Sequence, residues 1–231
     1  FSVLLGRGDG TFAPKQDYIA SGFGYGEVAS VTLADVTGDG NLDVLETSVQ
    51  NNRSYVAIFQ NNGNGRFFNT NQQYLSPDLS LVKVGDFNND NKLDIVSVGS
   101  KTSDVNILLN SGTGFFNHPA TTSNAERYIE GNDTRGVQFV DLNDDSIPDL
   151  VSIDTTARTI SVRLNLGDGT FGDRQTYSTI WYPTDIRLAD MNQDGRLDVL
   201  LTHRFDNRAS IFLNQGNGAL TISSGVTNIY P

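Results

Sequence analysis

Residues 86–94 read DFNNDNKLD, and three other stretches share their spacing: DVTGDGNLD at 35–43, DLNDDSIPD at 141–149 and DMNQDGRLD at 190–198. Each places Asp at loop positions 1, 5 and 9, with Thr or Asn at 3. Upstream, Val31/Leu33, Val82/Val84, Val137/Phe139 and Ile186/Leu188 alternate with other residues at period two, the signature of a strand with one buried face. Downstream come VLETS, IVSVG, LVSID and VLLTH, again strand-like. The acidic stretch is therefore a loop between two strands.

A second column alternates with the first. Glycine pairs occur at Gly8/Gly10, Gly63/Gly65, Gly112/Gly114, Gly167/Gly169 and Gly216/Gly218, so successive first glycines are 55, 49, 55 and 49 residues apart. A strand-like run precedes each pair (SVLL, YVAIF, VNILL, ISVRL, ASIFL). Phe12, Phe67, Phe116, Phe171 or Leu220 follows it. This reads as strand, glycine turn at positive φ, then a hydrophobe folding back. The tripeptide Arg7-Gly8-Asp9 falls in the first such turn, at variable slots filled elsewhere by Asn62 and Asn64 or Leu166 and Asp168. The turn accounts for it without an adhesion role.

Each unit thus reads strand, acidic loop, strand, third strand, glycine turn and a weaker fourth strand such as QQYLS or RQTYS. No long helical pattern with caps interrupts it. Four strands in about 50 residues make one blade of a β-propeller, so the expected fold class is all-β, with four-stranded antiparallel blades. Four acidic loops against five glycine turns give about four and a half blades. Residues 1–27 form a half blade, followed by blades at 28–78, 79–130, 131–180 and 181–231.

The acidic loops concentrate charge. Twelve of the 27 acidic residues lie at their ligand positions, in a chain of formal charge −11. Three nearby carboxylates repel one another unless a cation lies between them. Oxygen donors with no His or Cys select Ca²⁺ over zinc or copper. The expected metal ligands are Asp35, Thr37, Asp39 and Asp43; Asp86, Asn88, Asp90 and Asp94; Asp141, Asn143, Asp145 and Asp149; and Asp190, Asn192, Asp194 and Asp198. Four bound Ca²⁺ ions would take the charge from −11 to −3 (−11 + 8). Position 6 must turn sharply: Gly40 and Gly195 suit it, Asn91 is tolerable, and Ser146 is the poorest. An EF-hand is rejected. Glu46 stands at position 12 of the first loop, but Ser97, Ser152 and Leu201 stand there in the others, and the flanks are strands.

The motif Asp-x-Asn/Thr-x-Asp-Gly/Asn/Ser-x-x-Asp between strands, followed by a GxGxF turn, resembles the FG-GAP/VCBS repeats of integrin α-subunit propellers and related secreted propellers. The resemblance covers essentially the whole chain. It implies Ca²⁺ bound through positions 1, 3, 5 and 9 plus the backbone carbonyl of position 7, here Asn41, Lys92, Ile147 or Arg196. Thr37, the missing glycines at 91 and 146, and Pro148 depart from the pattern, most of all in the third loop. Members usually close with seven blades, which implies that these blades belong to a larger ring; a compact ring closed by the two termini is the alternative.

The acidic balance, pI near 4.4, argues against nucleic-acid binding, and no apolar run is long enough to span a membrane. The absence of cysteine excludes thiolate chemistry and disulfides. His118 and His203 occupy unrelated repeat positions, and no nucleophile elbow appears. The expectation is a calcium-stabilised, non-catalytic recognition or adhesion module, secreted or at the cell surface, with an extracellular protein or glycan as partner. The alternatives are a lectin propeller or a domain of a polysaccharide-active enzyme. The segments linking blades carry Tyr25, Trp181 and Tyr182 as candidate contact residues, since amphipathic aromatics anchor proteins or stack on sugars.

Overall fold

In the computed structural model, the described residues are 1–19, 27–50, 53–76, 79–99, 104–117, 128–131, 133–204, 208–223 and 227–228. They are all strand, turn and loop, with no helix among them. A two-stranded ribbon, β1 (Ser2–Val3) and β2 (Gln16–Asp17), comes first. Sheet 1 follows: β3 (Glu27–Ala34), β4 (Asp43–Gln50), β5 (Arg53–Asn61) and β6 (Phe67–Ser76), paired in sequence order. Sheet 2 holds β7 (Leu79–Gly85), β8 (Asp94–Gly99) and β9 (Asp104–Asn110), with its outer strand in two pieces, β10 (Phe116–Asn117) and β11 (Tyr128–Ile129), both paired to β9.

Sheet 3 is β12 (Thr134–Val140), β13 (Asp149–Asp154), β14 (Thr159–Arg163) and β15 (Gln175–Ser178). Sheet 4 is β16 (Pro183–Ala189), β17 (Asp198–His203) and β18 (Arg208–Asn214), again with a divided outer strand, β19 (Leu220–Ile222) and β20 (Thr227–Asn228). All pairings are antiparallel meanders, as the alternation of loops and turns requires. Each first strand carries a register shift near its start, between Val28/Ser30, Leu79/Leu81, Thr134/Gly136 and Pro183/Asp185. A bulge repeated at one place increases local twist in the same sense in every sheet.

The cores lie between sheets rather than within them. Ala34, Leu45 and Ile58 of sheet 1 pack on Val82, Ile95, Leu108 and Phe116 of sheet 2. Val96, Val98 and Ile107 of sheet 2 pack on Val137, Leu150 and Phe171 of sheet 3. Val151, Ile153 and Ile160 of sheet 3 pack on Ile186, Val199, Phe212 and Leu220 of sheet 4. This is why IVSVG and LVSID are buried at every residue: alternate side chains serve the sheet before and the sheet after. Stacked four-stranded antiparallel sheets with a core at each joint are propeller blades, as the repeat predicted.

Three devices tie consecutive blades, and only the structure shows them as ties. Asn110 Nδ2 donates to the Val36 carbonyl of the preceding blade at 2.8 Å, and Asn165 Nδ2 to that of Phe87 at 3.0 Å. Strand-four tyrosines reach forward: the amide of Phe171 donates to Tyr128 Oη at 2.8 Å and that of Leu220 to Tyr177 Oη at 3.1 Å. The second glycine of each turn after the first, Gly65, Gly114, Gly169 and Gly218, lies against a side chain of the blade before. A Cβ at Gly169 would fall 2.8 Å from Leu109 Cδ2, and one at Gly65 2.7 Å from Leu5 Cδ2. Glycine there serves both the positive φ and the close approach. At the joint of sheets 2 and 3 a buried ion pair is added, Arg163 Nε donating to Glu130 at 2.6 Å while Ser152 Oγ holds the other oxygen at 2.7 Å.

Candidate metal centres and ligand face

The four acidic loops share one hydrogen-bond plan. In each, one oxygen of the position-1 Asp accepts the amide of position 6, at 2.7–2.9 Å for Asp35, Asp86, Asp141 and Asp190. The other accepts the amide of position 5 at 3.1–3.2 Å. The position-5 carboxylates, Asp39, Asp90, Asp145 and Asp194, accept the amide of position 7. Nine residues thus turn their own N–H groups onto their own carboxylates, which orders the loop locally.

Position 9 does more. Asp43, Asp94, Asp149 and Asp198 are fully buried. One oxygen of each accepts the amide of loop position 2 (Val36, Phe87, Leu142, Met191). The other accepts the amide of the Asn at the end of the third strand or, in sheet 3, just past it, Asn61, Asn110, Asn165 or Asn214, at 2.8–2.9 Å. That Asn in turn accepts the amide of the first turn glycine. The acidic loop and glycine turn of a blade, separate columns in the sequence, are one network at one end of the sheet.

The electrostatics follow from burial. Burial pushes Asp94 and Asp149 up to about 6, against the amides that hold them, and the neighbouring carboxylates of positions 5 and 1 add to the rise. Burial also raises Asp43. At position 1, burial raises Asp35, but the amides of Gly40, Gly38, Asp39 and Thr37 outweigh it and hold its carboxyl below the ordinary range.

The loops differ at position 7. Lys92 Nζ lies 3.1 Å from Asp90 and Arg196 Nη2 2.6 Å from Asp194, whereas Asn41 and Ile147 supply no cation. In all four the position-7 side chain lies along the first glycine of its own turn.

Two positions per loop adopt left-handed backbone, not one. Position 4 joins position 6: Gly38 and Gly40, Asn89 and Asn91, Asp144 and Ser146, Gln193 and Gly195. Gly and Asn take this conformation readily, while Ser146 and Gln193 cost about 1 kcal/mol or more each.

Among the described residues, no three His, Cys, Asp or Glu side chains form a group that could hold a metal ion as they stand. The donor set of each loop is nonetheless all hard oxygen, with carboxylates at three positions and an amide or hydroxyl at the fourth. That chemistry fits an alkaline-earth cation and no softer metal. Glu46, the EF-hand-like residue, sits inside β4 opposite Val31, away from the loop.

Of the aromatic candidates, Tyr25 lies outside the described residues. Trp181 and Tyr182 sit at the opposite end of the blades from the acidic loops. Trp181 packs edge-on to His203 at 5.7 Å, and the Arg208 guanidinium stands 4.7 Å from its ring centre. Arg158 covers the Tyr182 ring at 4.2 Å and donates to its hydroxyl at 2.6 Å. Beside them a cavity of about 290 Å³ between blades 3 and 4 is lined by Asp133, Thr155, Thr184 and Arg204. His203 contacts a serine, Ser210 Oγ at 2.8 Å, which the sequence did not suggest; both are buried, so the pair offers no reach to substrate. His118 is outside the described residues. The Arg-Gly-Asp turn is a local Asx turn, its Asp9 carboxylate accepting the Thr11 amide and hydroxyl at 2.9 and 2.7 Å.

Missed by sequence reasoning were the Asn column (61, 110, 165, 214) and the tyrosine column. The signal was present: Asn stands two residues before the first glycine in four of five turns, with Gly6 in the fifth.

No helix of the described residues is long and apolar enough to cross a membrane. A search of curated proteins gives no match to this chain. Among solved structures, an Agrocybe aegerita lectin recognising non-reducing terminal N-acetylglucosamine is 19% identical, over 98% of this chain and 73% of the lectin, with a TM-score of 0.49. BBS1N, solved in complex with ARL6DN and soaked with lead, is 12% identical over 89% of this chain, with a TM-score of 0.54. The chain spans 58% of that protein's length, and the likeness bears on the fold. The FG-GAP-like repeat profile matches residues 1–46, 86–152 and 141–201. With those matches covering well over half of its length, and the acidic loops and glycine turns joined as described, the chain belongs to the FG-GAP-like repeat family.

Proposed function

We propose that this chain is a calcium-stabilised, non-catalytic recognition module acting outside the cell, where Ca²⁺ is abundant enough to fill sites of modest affinity. The observation that carries the reading is the fourfold identity of the loop network. Positions 1, 3, 5 and 9 of each loop would hold the ion, with the carbonyls of Asn41, Lys92, Ile147 and Arg196. When bound, Ca²⁺ supplies positive charge that offsets carboxylate repulsion and the burial of position 9. The loop's own residues then transmit order outward. Position 9 holds the position-2 amide, and the position-2 carbonyl of Val36 or Phe87 receives the Asn of the next blade. Loop order is thereby joint order.

The linker end carries the partner surface in this reading. The acidic end spends its polar groups on itself, while the linker end presents Tyr182, 37% exposed, together with Arg158, Arg204 and the cavity beside them. Such an aromatic–arginine cluster suits a protein or glycan ligand. Melting in EDTA and after Ca²⁺ is returned tests the metal: a fall of several degrees and its recovery are expected. An unchanged curve, or elemental analysis of unchelated protein showing no alkaline-earth metal, overturns the reading. Glycan-array binding lost in Trp181→Ala assigns the partner as a sugar; a captured protein with no sugar bound assigns adhesion; turnover of a polysaccharide overturns both.

A further inference from the structure

Blade 4 departs from the repeat at two places on its linker end. Counting forward from the buried Asp of each loop, Arg204 stands where the other blades carry Val49, Ser100 and Thr155. Counting back from the first Asp, Tyr182 stands where they carry Glu27, Asp78 and Asp133. One departure gains a cation and the other loses an acid. The fold brings both together, since the Arg204 amide donates to the Tyr182 carbonyl at 2.9 Å. Both residues are exposed, so the joint core does not call for either.

They stand at the cavity of about 290 Å³ whose walls are Asp133 and Thr155 of blade 3 and Thr184 and Arg204 of blade 4. These walls are fixed without a ligand. The Thr155 amide donates to the Asp133 carbonyl at 3.1 Å, and its hydroxyl to the Pro183 carbonyl at 2.6 Å. Thr156 Oγ1 donates to the Asp133 carboxylate at 3.1 Å. Arg158, stacked on Tyr182, is held in left-handed backbone at φ 58°, a conformation that non-glycine residues keep where the surroundings impose it.

The charge at this joint runs against the chain's −11. Arg158 and Arg204 are joined by Arg208, which covers Trp181. Of the acids nearby, Asp154 is buried and accepts the Ala157 and Asp133 amides, while Asp185 lies 2.7 Å from Arg187. Asp133 lines the cavity itself. A ligand offering only carboxylates would be repelled by Asp133, and one offering only hydroxyls would leave Arg204 without an anion. A sugar ring with one carboxylate and several hydroxyls answers both. A guanidinium has several N–H donors and a carboxylate several acceptor sites, so each can hold a neighbour and a ligand together.

We propose that this cavity binds one uronate residue of an acidic glycan, an inference that rests on the linker end being the partner surface and narrows its ligand. Arg204 takes the sugar carboxylate, Asp133 accepts ring hydroxyls, and Thr184 bonds a further one. Arg158 adds attraction for the anion from the rim. Ligand pockets run from about 300 to 1,000 Å³. This one is at the small end, so a single ring enters and the rest of the glycan stays outside.

The test titrates the chain, at fixed Ca²⁺, with methyl glucuronide, methyl galacturonide, their methyl esters and the neutral methyl glycosides, read by NMR. One acid should bind at least about tenfold tighter than its ester, with shifts at Tyr182 and Thr184. Arg204→Gln should abolish that preference and leave the melting curve in place, while Asp133→Asn weakens acid and ester alike. Equal binding of acid and ester, a preference that survives Arg204→Gln, or shifts confined to the acidic loops, where Ca²⁺ would bridge the sugar, each overturn the proposal. So does an acidic peptide that displaces the uronate at lower concentration, which gives the cavity to a protein. A neutral glycan or captured protein at the linker end, with neither uronate bound, overturns the uronate and leaves the partner surface standing. No partner of any kind at that end overturns both.

Discussion

The joint between sheets 3 and 4 and the joint between the ribbon and sheet 1 use the same repeat positions with opposite results. In the first, Ile186 and Leu188 meet Val151, Ile153 and Ile160, and Leu220 folds back under Tyr177. In the second, Phe1 and Tyr18 stack at 5.1 Å and cover Phe59 and Phe67, but Val31 and Leu33 stay open. Leu4 and Phe12 face the other way from the ribbon and are 52% and 61% exposed, whereas Leu108 and Phe116, at the same positions in sheet 2, are buried. A blade of this chain is therefore half a unit of stability. What stabilises is the joint, and the family match itself spans one: residues 1–46 run from the ribbon into β4.

Substitutions at equivalent positions can break that comparison. The largest single effect is expected from Asp149→Ala, which removes the acceptor of the Leu142 and Asn165 amides, both buried. Two charge-assisted bonds at roughly 1.5–3 kcal/mol each predict a loss of about 3–6 kcal/mol by denaturant titration. A loss under about 1 kcal/mol would mean that the loop network is ornamental.

Next comes one column in two settings. Phe171→Ala opens a cavity in the joint of sheets 2 and 3 and should cost about 3–5 kcal/mol. Phe12→Ala, at the same repeat position on the open ribbon, should stay within about 0.5 kcal/mol. Equal costs would show that the ribbon face is covered in solution. Among changes at the closed joints the smallest effect is expected from Tyr177→Phe, which deletes only the hydroxyl that receives the Leu220 amide, about 1 kcal/mol. The ribbon end should respond less to any such change than the closed joint.

Much of this was legible because it is local. The glycine pairs announce positive φ, and the Asp spacing closes an acceptor set onto amides within nine residues. No distant contact is needed to recognise either. The second left-handed position was partly hidden, since Gln193 and Asp144 do not advertise φ near +62°. The position-9 aspartates were read as ligands alone, although each also anchors the third strand 16 or 18 residues away. Their double duty depends on strand pairing, which spacing does not report.

The sequence by itself determined the turns, the acidic loops, the four-strand order and hence the blade, because short-range backbone geometry and period-two burial suffice for all of them. Only the tertiary structure decided how blades are joined. Asn110 reaches Val36 across 74 residues and Phe171 reaches Tyr128 across 43. It also decided that Val31 is open where Val82 is closed. Burial is a property of the neighbouring sheet, and two identical stretches of chain differ in it whenever their neighbours differ.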